Sequence, residues 1–399
     1  MRIGMMLDFY KPHISGVTNY VSLNKMALER SGHEVHVFTF GGGSAAPPEP
    51  GVIRSPGVPF ADSGFYLGFR YSRTARRLLQ EMDLVHVHHP FLSGNLALRY
   101  CRRRNIPIVF TNHTRYDLYA QVYLPMIPDP LSRSFLQAYM PAFCREVDLV
   151  IAPSAGIERV LRDMGVDVAM EVIPNGVDLA PFQGAANPVP REQLGLEPGS
   201  VGLVYVGRLG VEKNLAFLLR TFAGVRAAAP QARLVLIGGG PETENLRGLA
   251  QDLGIGDAVH FTGPVPYEKV PPLLAACDAF VTGSVSEVHP LSVIEAMASG
   301  LPIGAIESPG ISDTVRDGVD GFLSPYDSAA FAAKLTRLVL DEALRRKMGE
   351  AALRSSQRYS IDSTSAIVEA HYARLVERPP RRRATRWDTT WQSFLDRLT

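Results

Sequence analysis

The sequence predicts an α/β protein with two similar domains, each a parallel sheet covered by helices on both faces. Short apolar runs alternate with stretches of helical periodicity, and the alternation starts afresh after a Pro- and Gly-rich segment at 183–200. The length of 399 residues also exceeds the ~250–300 residues at which single cores usually stop growing. We therefore expect two doubly wound domains that face each other across a cleft.

Five apolar runs in the first half are the candidate strands of the first domain. They are RIGMML at the start, EVHVFTF, LVHVHH (84–89), IPIVFTN (106–112) and LVIAPS (149–154). Runs of this kind, separated by helices, are typical of strands buried on both faces of a parallel sheet. Between the first two, YVSLNKMALERSG has helical periodicity and a glycine stop.

Six runs repeat this pattern and predict the second domain. They are GLVYVG (202–207), RLVLIGG (233–239), AVHFTG (258–263), AFVTGS (279–284), LPIGAI (301–306) and GFLSP (321–325). In open parallel sheets, ligands lie beyond the carboxyl ends of the strands, so the residues that follow these runs are candidates for a binding site.

The composition excludes several classes of protein. Lys plus Arg total 41 and Asp plus Glu total 40, a balance that argues against a nucleic-acid partner. Cys101, Cys144 and Cys277 form no CxxC pair, which is typical of buried thiols in a reducing compartment. Asp8 interrupts the first apolar run, and no uncharged run approaches the ~18 residues of a spanning helix. We expect a cytoplasmic protein, with peripheral attachment to the inner face of the membrane as an open alternative.

Common ligand-binding motifs are absent. No G-x-G-x-x-G follows the first strand, no G-x-x-x-x-G-K-[ST] occurs, and no D-x-D offers a metal–diphosphate site. No His/Cys cluster has zinc spacing. For His86, His88 and His89 we prefer a core or loop role to a metal site, because no nearby carboxylate completes a ligand set. We therefore expect no metal and no other cofactor.

Two cations follow the run at 202–207. Arg208 comes directly after it, and Lys213 lies near the start of the next helix. Two fixed cations beside a helix N-terminus suit a diphosphate, because the helix adds N–H groups and a positive dipole end. The alternative is a pair of solvated surface charges. The glycine-bracketed turn after a buried strand favours a functional role.

Two carboxylates stand in SEVHPLSVIEAMASGLP (286–302). Pro290 fits a first helical turn, so we predict a helix over about 290–299 that ends at the following glycine. Glu287 then lies in the loop before the helix, and Glu295 lies in its second turn and leans towards the same opening. Such carboxylates can accept hydrogen bonds from sugar hydroxyls. The alternative is a capping carboxylate with a surface glutamate.

Four stretches together resemble the family 4 retaining glycosyltransferases. They are SGVTNYVSLNKMALERSGHEVHVFT, IPNGVD (173–178), GRLGVEKN (207–214) and SEVHPLSVIEAMASGLP with the following ESPGISDTVRDGVDGFL. The resemblance covers nearly the whole chain and implies the GT-B fold. It implies an acceptor-binding Rossmann-like domain over 1–183, a nucleotide-sugar-binding one over 184–355, and C-terminal helices over 356–399 that partly pack back on the first domain.

The resemblance also implies an activity and roles for residues. The activity is transfer of a hexose from a nucleotide diphosphate sugar, of the UDP-glucose or GDP-mannose type, to an acceptor hydroxyl with retention of configuration. Glu295 would bind the donor ribose and Glu287 the hexose, while Arg208 and Lys213 would hold the departing diphosphate. The backbone between the two glutamates would line the sugar and the diphosphate, through His289, Pro290, Leu291 and Ser292.

Two residues of the first domain would complete the site by the same resemblance. Gly16 would let backbone approach the phosphate, and His113 would contact the transferred sugar near the reacting carbon. Departures from the family concern Pro290, where Gly is more common, and Ser15 before Gly16, where a double glycine is common. Pro290 removes an N–H that could have bound the sugar.

The implied mechanism depends on charge. Loss of the nucleotide diphosphate leaves an oxocarbenium-like sugar, so the main task is electrostatic stabilisation of the leaving group. Arg208, Lys213 and helix N-termini can do this without a metal. Because no nucleophile is well placed, we favour attack on the same face, with the leaving phosphate helping to deprotonate the acceptor.

The acceptor is predicted from the first domain. Residues 110–141, rich in tyrosine and apolar side chains, resemble the corresponding part of enzymes that glycosylate diacylglycerol or phosphatidylinositol. A membrane lipid is our first choice, and a soluble sugar or small alcohol is the second. Alternatives from other classes are a nucleotide-sugar epimerase and a non-catalytic nucleotide-sugar-binding protein.

Two further segments have the composition of membrane-facing surfaces. Residues 58–79 mix aromatic side chains with four arginines, and core aromatics beside a solvated basic helix are the equal alternative. The C-terminal tail also combines arginine with tryptophan, and a solvated loop before a packed helix is the alternative there. The residues concerned are Arg70, Arg73, Arg76 and Arg77 in the first segment, and Arg381, Arg382, Arg383, Arg386, Trp387 and Trp391 in the tail.

Overall fold

The computed structural model describes residues 1–12, 15–41, 49–60, 65–118, 129–184 and 188–379. The Arg/Trp tail and the centre of the tyrosine-rich segment, residues 119–128, lie outside these ranges. Within them the chain forms two domains built on parallel sheets. None of the helices in the described part of the chain is long and apolar enough to cross a membrane.

In the described ranges, seven parallel strands form the sheet of the first domain in the order β3-β2-β1-β6-β7-β8-β9. Two further strands, β4 and β5, form a separate antiparallel hairpin. The strands are β1 (Arg2–Met6), β2 (Glu34–Phe40), β3 (Val52–Ser55), β4 (Val58–Phe60), β5 (Phe65–Leu67), β6 (Leu84–Val87), β7 (Ile108–Thr111), β8 (Leu149–Ala152) and β9 (Met170–Val172). The helices are α1 (Gly16–Arg30), α2 (Arg73–Leu79), α3 (Leu92–Cys101), α4 (Asp129–Glu146) and α5 (Ala155–Asp163).

The second domain holds a parallel sheet in the order β12-β11-β10-β13-β14-β15. Its strands are β10 (Val201–Val206), β11 (Ala232–Ile237), β12 (Val259–Gly263), β13 (Ala279–Thr282), β14 (Ile303–Ile306) and β15 (Gly321–Ser324). Its helices are α6 (Leu215–Ala228), α7 (Thr243–Asp252), α8 (Val270–Leu274), α9 (Leu291–Ala298), α10 (Pro309–Thr314), α11 (Ser328–Leu340) and α12 (Glu342–Ser356).

Burial on both faces explains why the strands are apolar. Along β10, Val204 packs into one core and Leu203 into another on the opposite face of the sheet. In the first domain, Met5 and Met6 of β1 divide between two cores in the same way. Each fully buried side chain of this size contributes about 1.5–3 kcal/mol, so the cores fix the sheet edges that carry the loops.

The last helix, α13 (Ile361–Glu377), returns to the first domain. Tyr372 and Leu375 are buried with side chains of β1. The Tyr372 hydroxyl lies 2.5 Å from His86 Nδ1. The end of the described chain is thus packed beneath the loops that follow β6 and β7.

Several predicted runs extend beyond the strands they contain. Strand β6 ends before His88, and β7 ends before His113, so both histidines lie in loops at the carboxyl edge of the sheet. Strands β3 and β9 and the β4–β5 hairpin have no counterpart among the predicted runs. They have three or four residues each, and β3 and β9 are partly exposed, so they do not stand out as apolar runs.

The predicted linker at 183–200 is partly wrong, because some of it is packed. Leu194 and Leu196 are buried in the second domain, and Arg191 pairs with Asp278 at 3.0 Å. Turn residues separate these apolar side chains, so the composition alone did not predict their packing.

The three cysteines are unpaired and buried, as predicted. Burial raises the pKa of each thiol, which keeps all three protonated and unreactive.

Candidate active site

An ion pair joins two loops at the carboxyl edge of the second sheet. Strands β10 and β13 are neighbours, and the loops after them place Lys213 Nζ 2.7 Å from Glu287 Oε1. The side chains are 26% and 17% exposed, so the pair is open to a ligand. Asn214 fixes the first loop, since its backbone is left-handed at φ 54° and its Nδ2 donates to Gly283 O at 2.9 Å.

Each member of this pair keeps the other charged. Burial raises the pKa of Glu287, but the charge of Lys213 and its hydrogen bond outweigh burial, and the net pKa is lowered. Burial lowers the pKa of Lys213, but Glu287 outweighs burial, and the net pKa is raised. The site therefore holds a cation whose counterion is a side chain of the protein.

Arg208 lies after the same strand but outside this pair. Its side chain is 61% exposed, and Nη1 lies 3.2 Å from Glu212 Oε1. An exposed ion pair of this kind contributes little free energy in water, so Glu212 would compete only weakly with a phosphate for Arg208. The Tyr205 hydroxyl donates to the Arg208 carbonyl oxygen at 3.2 Å and fixes the backbone of the turn.

Glu295 is buried in the second turn of α9, with 4% of its surface exposed. The Tyr267 hydroxyl donates to its Oε1 at 2.8 Å. Burial raises the pKa of Glu295 to about 7, and this hydrogen bond opposes the shift. Nothing in the sequence singles out Tyr267 except its place shortly beyond the end of β12.

Helix α9 begins one residue later than predicted. Pro290 is its cap residue, at φ −77° and ψ 113°, and Leu291 is the first helical residue. No side chain in the described part of the chain caps the N–H groups of the first turn. Leu291 and Ser292 are half-buried there, so these N–H groups remain for an anion.

Three successive carbonyl groups before α9 are held from other elements. The donors are the Gly310 N–H to Glu287 O at 3.1 Å, Ser154 Oγ to Val288 O at 3.2 Å and Asn175 Nδ2 to His289 O at 3.1 Å. Ser154 and Asn175 belong to the first domain, so the loop that carries Glu287 is fixed from across the domain boundary. The sequence points to Asn175 only through IPNGVD and does not point to Ser154.

The side chain of His289 is a packing group. It is buried, and its ring lies edge-on to Tyr359 with 5.0 Å between centroids. Burial lowers the pKa of His289 to about 3, so the ring is neutral. The prediction that His289 lines the donor site therefore concerns its backbone alone.

Gly16 is the first residue of α1, behind a capping box. Ser15 Oγ accepts from the Thr18 N–H at 3.2 Å, and Thr18 Oγ1 accepts from the Ser15 N–H at 2.8 Å. Within the described residues, a Cβ added at Gly16 would meet nothing within 4 Å. The packing of the described residues therefore does not require glycine at this position.

His113 lies beyond β7 in a cluster of rings. Its Nε2 is 3.0 Å from His88 Nδ1, and the Tyr20 ring lies 4.7 Å from its own. His86 lies beneath, with Nε2 2.7 Å from Thr111 Oγ1. Burial lowers the pKa of His113 well below its ordinary value, so it is neutral.

The arrangement suits a diphosphate attached to sugars. Among the described residues, one edge offers an ion pair, a helix N-terminus without a side-chain cap and a buried carboxylate. The other domain offers a second helix start and a neutral histidine. Within the described ranges, no group of three or more His, Cys, Asp or Glu side chains could hold a metal ion.

The chain matches two protein-family descriptions. Glycosyltransferase Family 4 matches residues 14–181, and Glycosyl transferases group 1 matches residues 188–355. The boundary between the matches falls between the two sheets.

Relatives are similar over most of their length. The chain is 33% identical over 334 residues to the alpha-monoglucosyldiacylglycerol synthase of Streptococcus pneumoniae, covering 81% of this chain and 75% of that one. It is 31% identical over 389 residues to the D-inositol 3-phosphate glycosyltransferase of Nocardia farcinica, covering 91% and 85%.

A solved structure confirms the predicted GT-B fold. Anabaena HepE in complex with UDP and glucose matches with a TM-score of 0.73 at 21% identity, covering 94% of this chain and 100% of that one. None of these comparisons supports a nucleotide-sugar epimerase.

Proposed function

The chain belongs to family 4 of the glycosyltransferases, and from this we propose that it moves glucose from a UDP-linked donor to a hydroxyl group of a diacylglycerol-type lipid. Its family makes it a hexosyltransferase with a nucleotide-sugar donor, which confirms the activity predicted from the motifs. The UDP base, the glucose, the lipid acceptor and the residue roles are our proposals.

The Lys213–Glu287 ion pair carries the donor proposal. A donor diphosphate brings two negative charges, so it displaces Glu287 as the partner of Lys213 and gains N–H groups from α9. Glu287 is then released to accept from a hexose hydroxyl. Glu295, further along α9, accepts from the ribose in place of Tyr267.

The reaction follows from this placement. The bond between the anomeric carbon and the diphosphate oxygen breaks, and Lys213, Arg208 and the N-terminus of α9 stabilise the charge of the leaving group. The acceptor oxygen bonds to the same face of the sugar, and its proton passes to the leaving phosphate. In the donor complex Glu287 has left Lys213 and accepts from a hexose hydroxyl, so we give it no role as a nucleophile. A trapped glycosyl adduct on Glu287 would overturn this mechanism.

The names of relatives support the choice of substrates. The pneumococcal relative is named for monoglucosyldiacylglycerol, and the Anabaena structure contains UDP and glucose. A GDP-mannose type of donor is the alternative.

An exposed surface of the first domain suits contact with a lipid bilayer. Phe69 is 58% exposed, and Arg70, Arg73 and Arg77 are exposed beside it. No acidic residue occurs between 65 and 80. Apolar side chains together with arginines favour an anionic membrane surface, so we place the enzyme peripherally on the inner face of the membrane.

One aromatic residue of this segment belongs to the core and takes no part in the membrane proposal. Tyr71 is 1% exposed and stacks on Phe40 with 5.1 Å between ring centroids, so it is a core aromatic. Phe69 has no such burial, and the membrane proposal therefore rests on Phe69 and the arginines.

A phosphorylated soluble alcohol is the second candidate acceptor. The relative from Nocardia farcinica is named for D-inositol 3-phosphate, and its match covers more of both chains than the match to the lipid enzyme. We propose that neither reaction needs a metal, because Lys213, Arg208 and the start of α9 already provide for the leaving group.

A matrix of donors and acceptors tests these proposals. The full chain is incubated with one radiolabelled donor, either UDP-glucose or GDP-mannose. Each donor is combined with diacylglycerol vesicles, with inositol 3-phosphate or with buffer, and every mixture is prepared with and without EDTA. We expect labelled lipid from UDP-glucose and vesicles, unchanged by EDTA. Label in inositol phosphate alone would overturn the proposed lipid acceptor. Label from GDP-mannose alone would overturn the proposed UDP-glucose donor. Loss of activity with EDTA would overturn metal independence.

A further inference from the structure

Two histidines share a hydrogen bond at the carboxyl edge of the first sheet. His88 is buried, and its Nδ1 lies 3.0 Å from Nε2 of His113. The other ring nitrogen of His88, Nε2, is buried without a hydrogen-bond partner among the residues that the structure describes. His113 itself is half-buried in the loop after β7.

Both rings are neutral, so each carries one N–H. Burial lowers the pKa of His88 and of His113 well below the ordinary value, and neighbouring histidines lower it further. A contact of 3.0 Å between two nitrogens needs one N–H and one lone pair. The proton between the rings therefore belongs either to His88 Nδ1 or to His113 Nε2.

The unpartnered Nε2 of His88 decides between these arrangements. If His113 donated, His88 would carry its proton on Nε2, and a buried N–H would have no acceptor. If His88 donates from Nδ1, its Nε2 is left with a lone pair. Buried N–H groups without partners are rarer than buried acceptors without partners, so the second arrangement is favoured.

We infer that His88 is a positioning residue that holds His113 in its Nδ1–H tautomer, so that His113 presents a hydrogen-bond donor to the reacting sugars. Such a group can orient a hydroxyl oxygen but cannot take its proton. The proton of the acceptor must then leave with the diphosphate, as in the proposed reaction. The contact of His113 with sugar rests on the proposed function, and the tautomer itself does not.

Neighbouring groups keep the two rings from turning. The Tyr20 ring lies 4.7 Å from the His113 ring and 5.7 Å from the His88 ring. Beneath them, the His86 ring lies 4.2 Å from that of His88 and is bonded at both nitrogens, to Thr111 and Tyr372. A fixed ring pair can hold one tautomer.

Long-range ¹H–¹⁵N correlation on the full chain with labelled histidine tests the tautomer without any substrate. His88→Asn and His113→Gln variants assign the two signals. We expect both rings to carry their proton on Nδ1 and to stay neutral between about pH 6 and about pH 8. A His113 signal with its proton on Nε2 would overturn the inference, even if lipid transfer were confirmed.

Kinetics of two variants test the consequence, with whichever donor and acceptor the enzyme uses. Asparagine at 88 keeps an N–H near the position of Nδ1, so His88→Asn should stay within about threefold of the wild-type kcat. Aspartate offers an acceptor to His113 Nε2 and can also charge the ring. At a pH where NMR shows the ring to be neutral, His88→Asp should move the proton of His113 to Nε2 and lower kcat at least about tenfold with little change in donor KM. Equal kcat for the two variants would contradict a role for the tautomer.

Discussion

Lys213 Nζ and Glu287 Oε1 lie 2.7 Å apart, so the cation proposed to meet the donor diphosphate is balanced from within the protein before any donor arrives. The two residues are 74 positions apart in the sequence, and they meet because β10 and β13 are neighbouring strands. In the proposed exchange, a diphosphate replaces Glu287 on Lys213, which would leave a cation on the leaving group and a carboxylate on the hexose. Several measurable effects depend on this exchange.

Replacing Lys213 should strongly slow catalysis without unfolding the protein. In Lys213→Ala the leaving diphosphate loses its most buried cation, so we expect kcat to fall by about 10²–10³-fold, as for other lost electrostatic contacts. Glu287 is also left without its partner, which should destabilise the protein by about 1–3 kcal/mol. Steady-state kinetics and urea unfolding measure the two effects separately.

The double variant Lys213→Ala/Glu287→Gln is the matched control. It removes the unpaired carboxylate, so stability should return towards wild type while kcat stays low. Wild-type turnover in the single variant would remove Lys213 from the site.

Gly16→Ala should affect ligand binding alone. A Cβ there meets no atom of the described residues within 4 Å. Alanine is also the better helix former by up to ~1 kcal/mol, so stability should be unchanged or slightly higher. If backbone at Gly16 approaches the donor phosphate, the added methyl group should lower kcat/KM for the donor about tenfold or more. The control is Gly248→Ala in α7, where an added Cβ likewise meets no described atom within 4 Å. A similar loss there would argue against the prediction.

Glu295 should make stability fall as the pH rises. Its pKa is about 7 in the folded protein, above the ordinary 4.5, so over this window the folded protein holds a proton that the unfolded chain has lost. The contribution is fully present below pH 4.5 and is lost as the pH passes 7, by at most ~3 kcal/mol. Glu295→Gln should therefore be more stable than wild type at about pH 8 and similar at about pH 4.5. Equal differences in unfolding free energy at both pH values would contradict the buried carboxylate.

The same Glu295→Gln variant should bind donor more weakly. A neutral amide accepts less strongly from ribose hydroxyls than a carboxylate does, so we expect donor KM to rise about tenfold. In wild type, donor affinity should increase as the pH rises through about 7, since the charged form of Glu295 is the better acceptor. A donor affinity that falls over this range would contradict the ribose role.

Asn175 should act on the donor loop from the other domain. Asn175→Ala removes the bond to His289 O, which should raise donor KM and cost about 1 kcal/mol of stability. Asn175→Asp sets a carboxylate against that carbonyl oxygen and should have the larger effect. Asn245→Ala, at an exposed asparagine of α7, is the control, and a donor KM unchanged by Asn175→Asp would show that the contact does not matter for binding.

Reversing charge on α2 should weaken membrane binding. Arg73→Glu/Arg77→Glu should lower binding to anionic vesicles at least about tenfold, because each arginine near such a surface contributes about 1 kcal/mol. Arg346→Glu/Lys347→Glu changes the net charge equally on an exposed part of α12 and should have little effect. Equal losses for the two variants, measured by vesicle sedimentation, would show a general charge effect instead of a docking surface.

The elements and the motif residues could be predicted because they leave local signals. A buried parallel strand is an apolar run, and Arg208, Lys213 and Glu287 stand out as charges shortly after such runs. Glu295 stands out as a charge inside an apolar helix. The family resemblance then supplied roles that spacing alone does not give.

The partners of these residues could not be predicted, because they depend on packing between distant segments. Tyr267 meets Glu295 across 28 positions, and Ser154 meets Val288 across 134 positions and a domain boundary. The side chain of His289 lies in the core because it packs against the ring of Tyr359. The local pattern of apolar and polar residues does not predict any of these contacts.

A crystal structure of the full chain with UDP-glucose would test the donor site most directly. We predict that the contact between Lys213 and Glu287 is replaced, with a diphosphate oxygen within about 3 Å of Lys213 Nζ and the ribose hydroxyls on Glu295. A complex in which Lys213 and Glu287 remain 2.7 Å apart while the diphosphate binds elsewhere would contradict this site.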